Sequence, residues 1–403
     1  MQSTYHPSTA PRRTLILACG VFLAAGICLA SLGPLLPSLA ARIERDIATL
    51  GWLFTALSGG VMLAQFGVGS ASDRFGQRPV LALGMLLMGG GAFGVTLSQS
   101  FARLLAAAIV TGIGFGAVMT AGNLLIARLF PTRSAAALNG MNLFFGVGSM
   151  VGPMVVGQAG SRLDMPHAAL WLGGILLLVL APAVLLLAAA ALPMQTRIIR
   201  AERSSSRPAT LWLSGLLLLI YTGTEVGFAA WLAVYMSSSA HLTPVTAALV
   251  VSGFWLALTF GRAIGAGLGM RLAPQSLLAI SLLGIFAATA ILIMSVGSLD
   301  GSVAGVLLFG LSCGPVFPTL LALVTAETRG SGTAASLVLA LGNCGGLIIP
   351  ALLGWLLSRY GPSSTTALLL GAALAMLLLF AATIWMRVQA TQTPEGHGTP
   401  AQC

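Results

Sequence analysis

The sequence predicts an all-α membrane protein of twelve transmembrane helices in two six-helix, pseudo-symmetric halves. Three observations carry this expectation. First, only 7% of the 403 residues are charged and 57% are hydrophobic. A soluble domain carries about a quarter charged residues, and so few charges cannot cover a water-exposed surface. Second, twelve apolar runs reach the ~20 residues that a bilayer crossing needs. Third, the longest polar stretch inside the chain falls between the sixth and seventh of these runs.

The first run, 14–39, follows Arg12 and Arg13, the order of charge and apolar stretch found in a signal peptide. It continues past Pro34 and Pro37 to Leu39, too long for a cleaved apolar core, and is read as a retained first helix. Runs at 49–70, 79–99, 102–127, 134–158 and 167–192 complete an N-terminal bundle spanning 1–192. The stretch "PMQTRIIRAERSSSRPAT" sets Arg197, Arg200, Arg203 and Arg207 against Glu202 alone, and 193–209 is expected to be a cytoplasmic linker. The C-terminal bundle, 210–386, holds runs at 210–236, 246–266, 274–296, 302–324, 334–358 and 364–386. Residues 387–403 show no periodicity and are expected to form a disordered cytoplasmic tail.

Every one of the 19 basic residues is arginine, and the net charge is +10. These arginines are scattered between apolar runs and form no contiguous basic face, which argues against a nucleic-acid partner. With a cytoplasmic N-terminus, 14 of the 19 arginines, Arg262 among them, fall in inside loops and termini, and five (Arg42, Arg45, Arg103, Arg162 and Arg359) fall outside. The positive-inside rule therefore predicts a multi-pass protein with both termini cytoplasmic, and the membrane is expected to be a bacterial plasma (inner) membrane. The five cysteines show no metal or disulfide spacing. No Ser/His/Asp set or phosphate-binding loop appears, and His6, His167, His241 and His397 lie at termini or in loops. Neither an enzyme, nor a cofactor, nor a metal is expected.

Several motifs add chemistry. After the second run comes "GSASDRFGQRPVL", Gly69 to Leu81. Gly69 would admit a close helix, Asp73 could accept from a helix N-terminus, and Gly76 would supply a turn. The stretch resembles the helix 2–3 loop motif of the major facilitator superfamily at Gly69, Asp73, Arg74, Gly76, Arg78 and Leu81, with Ala71 and Gln77 departing from it. In that family the loop latches the halves together on the cytoplasmic side, and the resemblance implies a gating role here. "GRAIGAGLGMRL", 261–272, is a weaker second copy without the acid. The fourth run carries "TGIGFGAVMTAGN", with Ala108 where proton-driven members often have arginine. The fifth carries "GSMVGPMVVG", similar to a motif of drug–proton antiporters but equally readable as a bend with close packing.

The seventh run holds "YTGTEVGFAAWLAVY", and Glu225 is the one acid inside any predicted span. An ionisable group at bilayer depth costs several kcal/mol and is a functional candidate by default. By helical period Tyr221, Glu225, Phe228, Leu232 and Tyr235 share a stripe, so two tyrosine hydroxyls are expected within reach of the acid. The stretch resembles the seventh helix of the fucose–proton symporter family and related bacterial sugar transporters at Tyr221, Gly223, Glu225, Trp231, Leu232 and Tyr235. "GPVFPTLLAL" and "GNCGGLIIPALLGWL" agree in the tenth and eleventh runs.

The resemblance implies a secondary transporter of a small polar, sugar-like solute, coupled to protons through Glu225, working by alternating access as a monomer in the lipid bilayer. The further acids of that family in helices one and four are absent. A facilitator, or proton-coupled efflux of drugs or a secondary metabolite on the same fold, therefore stays open. So does a structural role for Glu225, with Asn343 as its partner. Asn123, Asn139, Asn142 and Asn343, with Gln65, Ser312 and Thr319, are candidate cavity-wall groups, and Phe317–Pro318 is expected to break the tenth helix. Trp171 and Trp255 read as lipid or interface residues.

Overall fold

The computed structural model describes residues 9–131, 133–187, 208–327 and 332–392. The expected linker 193–209 falls almost wholly outside these residues. Of the expected disordered tail, 387–403, residues 387–392 instead continue the last helix, and those from 393 onward lie outside the described residues.

The described residues form thirteen α-helices and no strand. They are α1 (Thr9–Arg42), α2 (Gly51–Phe75), α3 (Gln77–Leu97), α4 (Phe101–Leu129), α5 (Ser134–Leu163) and α6 (Ala168–Leu187), then α7 (Pro208–Ser239), α8 (Pro244–Leu268), α9 (Pro274–Met294), α10 (Leu299–Cys313), α11 (Val316–Glu327), α12 (Gly332–Tyr360) and α13 (Pro362–Gln392). Twelve helical stretches are long and apolar enough to cross a membrane, α10 and α11 together counting as one. The expected fold class is therefore the observed one. Successive spans alternate in direction, so the start of α1 and the end of α13 share one side of the bundle, the terminal side.

Helix starts are fixed by short caps. Ser100 accepts from the Arg103 amide, and Thr243 accepts from the Thr246 amide just ahead of Pro244, satisfying donors that a first helical turn leaves open. The tenth span breaks at Gly314–Pro315, not at Phe317–Pro318 as expected. Pro315 has no amide to give Leu311, four residues earlier, and its ring crowds that carbonyl. Pro318 lies in the first turn of α11, where an amide would be spare anyway. The second span also runs further than expected. Gly69 to Phe75 are helical, and the loop shrinks to Gly76 at φ +86°, a left-handed-region angle that favours glycine.

Two apolar cores form, one around Phe22, Leu35 and Leu36 of α1, the other around Phe228, Phe254 and Phe309. Phe228 and Phe309 meet edge to face with centroids 5.0 Å apart, a favoured aromatic arrangement. Small residues set the helix spacing. Gly148 and Gly152 of α5 lie directly on the α1 backbone and Gly112 of α4 on that of α2, so the glycine-rich fourth and fifth spans are packing surfaces.

On the side opposite the termini, the end of α1 is tied down by polar contacts. Arg42 donates to the Thr96 carbonyl and to His167 Nε2, and Trp171 donates from Nε1 to Thr96 Oγ1 at 3.0 Å. Trp171 is thus an interhelical strut. Because Arg42 can only donate, Nε2 accepts and the ring is neutral. Burial first, and the Arg42 charge second, push the His167 pKa down to about 4.

Candidate functional site

The two halves meet face to face. Gly33 of α1 abuts the Ala230 carbonyl of α7, Gly51 of α2 abuts Ala351 of α12, and Gly157 of α5 abuts Val245 of α8. All three contacts lie toward the side opposite the termini. At mid-depth Thr55 donates to the Leu347 carbonyl at 2.7 Å, and Asn343 Nδ2 donates to Gln65 Oε1 at 2.7 Å. Toward the terminal side a vestibule of about 610 Å³ opens between α5, α8, α9 and α11. Above it, between the halves, lies a smaller cavity of about 150 Å³ walled by Leu57, Phe115, Val226, Trp255 and Asn343 among others. Trp255 is therefore a cavity residue rather than a lipid-facing one.

Glu225 sits midway along α7 and is 9% exposed. It lines neither cavity. Between it and the vestibule stands Arg262 of α8, whose Nη2 lies 3.9 Å from Glu225 Oε1. The arginine side chain is 38% exposed and forms part of the vestibule wall. The positive-inside count assigns Arg262 to an inside loop. It lies instead within the eighth span, which runs Pro244–Leu268. This is the functional candidate that sequence reasoning missed. The available signal was its position inside the run 246–266: one base in one span, one acid in another.

Tyr221, one turn before Glu225, donates its hydroxyl to the Cys313 carbonyl at 2.9 Å. Cys313 ends α10, where carbonyls lack helical partners. The tyrosine proton therefore closes the helix break. Tyr235 shares the stripe but lies ten residues on, about 15 Å along the axis. It packs on Phe228 with centroids 5.9 Å apart, and its hydroxyl does not reach Glu225. Trp231, on another face, donates to the Pro350 carbonyl at 2.7 Å.

The asparagines separate into three settings. Asn139 and Asn142, at the start of α5, line the vestibule with Arg262, Thr319, Phe317 and Pro318. The Asn142 amide donates to the Leu138 carbonyl at 2.9 Å, and among the described residues its side-chain oxygen has no hydrogen-bond partner. Asn123 donates to the Met119 carbonyl of its own helix at 2.7 Å and lines neither cavity. Asn343 is not the partner of Glu225. It bonds Gln65 of the other half and faces the smaller cavity.

In the Gly69–Leu81 stretch, Asp73 pairs with Arg128 at the end of α4, at 3.1 Å, rather than with a helix N-terminus. Gly69 has open space around it rather than a close helix. Arg74 stands over the Phe75 ring at 5.2 Å, and Arg78 lies in the first turn of α3. Asp73 and Arg128 belong to the same half.

Twelve spans in two packed sets, with a vestibule between them and a charge pair inside the second set beside it, define an α-helical membrane transporter rather than an enzyme. The sequence model of the Major Facilitator Superfamily matches residues 14–350, and the chain belongs to that family. It is 24% identical over 382 residues to sodium-dependent glucose transporter 1 of Danio rerio, covering 85% of this chain and 64% of that protein. It is 30% identical over 154 residues to the 4-hydroxybenzoate transporter PcaK of Acinetobacter baylyi, covering 37% of this chain and 33% of that one. The chain thus spans less than two thirds of the length of these relatives. Among solved structures, a point mutant of the nucleoside transporter NupG superposes with a TM-score of 0.75 at 14% identity, covering 94% of this chain and 99% of that one. At that identity the likeness is one of fold.

Proposed function

We propose that the chain is a proton-coupled symporter of a small polar, sugar-like solute, most like the fucose–proton symporter branch of its family, working by alternating access. The observation that carries this reading is the Glu225–Arg262 pair, 3.9 Å apart inside two spans, with Arg262 on the wall of the vestibule between the halves and Glu225 behind it. Ionisable groups at bilayer depth mark ion and substrate paths. The relatives named for glucose and for 4-hydroxybenzoate both take small hydroxylated solutes, which supports a polar cargo.

In this reading the bundles 1–192 and 210–386 rock as bodies around the site, as in other two-repeat transporters. The chain is a monomer in a bacterial inner membrane with both termini cytoplasmic, and the terminal-side vestibule is the inward mouth. The Gly69–Leu81 stretch, with Asp73, Arg74 and Arg78, engages the other half when that mouth closes. The apolar wall of the smaller cavity, with Phe115, Leu57 and Trp255, favours a second reading: proton-coupled efflux of drugs or a secondary metabolite.

The test is solute-induced pH change in proteoliposomes, wild type against Glu225→Gln, across sugars and cationic drugs, with and without sodium. Alkalinisation outside on adding a sugar, absent in the variant and indifferent to sodium, is expected. A drug-driven proton movement of opposite sense would transfer the protein to the efflux reading. Counterflow equal in both proteins, without pH change, would overturn proton coupling through Glu225.

A further inference from the structure

We infer that the cargo carries a carboxylate, that Arg262 receives it, and that Glu225 is the counter-charge the cargo displaces. The inference rests on the transport reading above and narrows its substrate class from neutral sugars to hydroxylated carboxylates, such as sugar acids.

The geometry of Arg262 carries the argument. A guanidinium has five N–H donors in a fixed fork. When arginine serves as a structural tie to a carboxylate, the two form paired bonds of about 2.7–2.9 Å. Here the nearest approach is 3.9 Å, beyond hydrogen-bond length. Among the described residues the Arg262 guanidinium makes no hydrogen bond, although it stands within a membrane span. The charge is compensated by Glu225 while the donors are left open to the vestibule, where the side chain is 38% exposed. A planar anion entering from the vestibule meets that fork before it meets the acid, because Glu225 is not on the wall.

The remaining wall fits the rest of such a molecule. Asn139 and Asn142 come from α5 of the other half, and Thr319 from α11. The Asn142 side-chain oxygen is an acceptor suited to a hydroxyl, since its amide is committed to Leu138. A carboxylate on Arg262 and hydroxyls on the asparagines would thus bridge the halves. The vestibule volume of about 610 Å³ lies within the ~300–1,000 Å³ of small-molecule sites.

Charge balance then fixes the stoichiometry. Among the described residues, the titratable groups beside Glu225 are Arg262 of α8, Tyr221 of α7 and Cys313 at the end of α10. The tyrosine and the thiol are neutral, so the empty site sums to zero. An anion on Arg262 brings the sum to minus one, and one proton on Glu225 restores zero. Both forms that cross between states are neutral, which a low-dielectric path requires. Anion and proton therefore move together, one to one, without net charge.

The experiment is uptake into proteoliposomes of matched pairs, each a hydroxylated carboxylate and its neutral counterpart: glucuronate with glucose, gluconate with sorbitol, 4-hydroxybenzoate with 4-hydroxybenzyl alcohol. A pH gradient and a potassium–valinomycin potential are applied separately. At least one acid is expected to enter at a rate raised by the pH gradient and unaffected by the potential, with its neutral counterpart not competing. Arg262→Gln should weaken that acid about tenfold or more, as loss of a charge-assisted bond predicts, with Arg262→Lys intermediate. Should Arg262→Gln fail to fold, the Glu225→Gln/Arg262→Gln protein, which leaves no unpaired charge, takes its place and should likewise lose the acid. Entry of neutral members alone, or equal loss of acid and neutral solute in the variant, would overturn the carboxylate assignment and leave the polar-solute reading standing. Entry of no member of any pair would overturn both.

Discussion

Removing Arg262 alone should destabilise the protein more than removing both members of the Glu225–Arg262 pair. At 3.9 Å two unit charges attract by about 4 kcal/mol at an effective dielectric of 20. Arg262 is 38% exposed and partly hydrated, which reduces the attraction to about 2 kcal/mol. Arg262→Gln leaves a carboxylate only 9% exposed without a counter-charge and should cost about 2–4 kcal/mol. Glu225→Gln leaves a half-solvated arginine and should cost about 1–2 kcal/mol. The double variant, with two neutral amides side by side, should lie above Arg262→Gln, giving a coupling energy of about 2 kcal/mol in a double-mutant cycle. The assay is denaturant unfolding of the four purified proteins in one detergent, followed by tryptophan fluorescence. Additivity within about 0.5 kcal/mol would mean that the two charges do not sense each other, and the electrostatic account of the site would fall.

Replacing Asn343 by Ala removes its bond to Gln65. It should cost about 1 kcal/mol and shift the protein away from the present state, read as faster labelling of a cysteine introduced on the side opposite the termini. Gly33→Val places a Cβ against the Ala230 carbonyl. It should hold that side ajar and arrest transport while the protein still elutes at the wild-type volume; full activity would show that the contact is not part of the cycle. Asp73→Asn breaks an ion pair whose acid side chain is 66% exposed. It should therefore leave stability within about 1 kcal/mol while slowing transport, and an unchanged transport rate would remove the gating role from this loop. His167 has a folded pKa near 4 against 6.5 unfolded, so between these values the unfolded chain binds the extra proton. Its contribution is complete above pH 6.5 and is lost as pH falls toward 4, about 1 kcal/mol after allowing for its half-buried setting. His167→Gln should flatten that part of the pH–stability curve.

Fold and spans were legible because hydrophobicity alone determines them. A run of about 20 apolar residues has one use, and no tertiary partner is needed to recognise it. What slipped were details decided by local backbone chemistry. Of two prolines three residues apart, Pro315 breaks the tenth span and Pro318 does not. The difference lies in whether an amide is needed at that position, which depends on where α11 begins. The extension of α2 through Asp73 to Phe75 has the same character: the polar residues look like a loop, yet the helix continues until Gly76 turns it.

The site was legible only in part, and for a different reason. Glu225 stands out because an acid inside an apolar run has no cheap explanation. Arg262 was equally anomalous, but an arginine near a span end has a ready one in the positive-inside rule, and the rule absorbed it. Only the packing of α7 on α8 shows that the two anomalies are one feature. Each charge is tolerated in the membrane because the other is there. The acid so prominent in the sequence is the deeper member, shielded from solute by the base. In the carrier proposed above, the arginine answers the cargo and the glutamate the proton. On that proposal cargo and proton communicate across the 3.9 Å gap, through charge rather than through a shared contact. This is why the conservative replacement Arg262→Lys, which keeps the charge but loses the planar fork, should retain more of the coupling to protons than of the affinity for cargo.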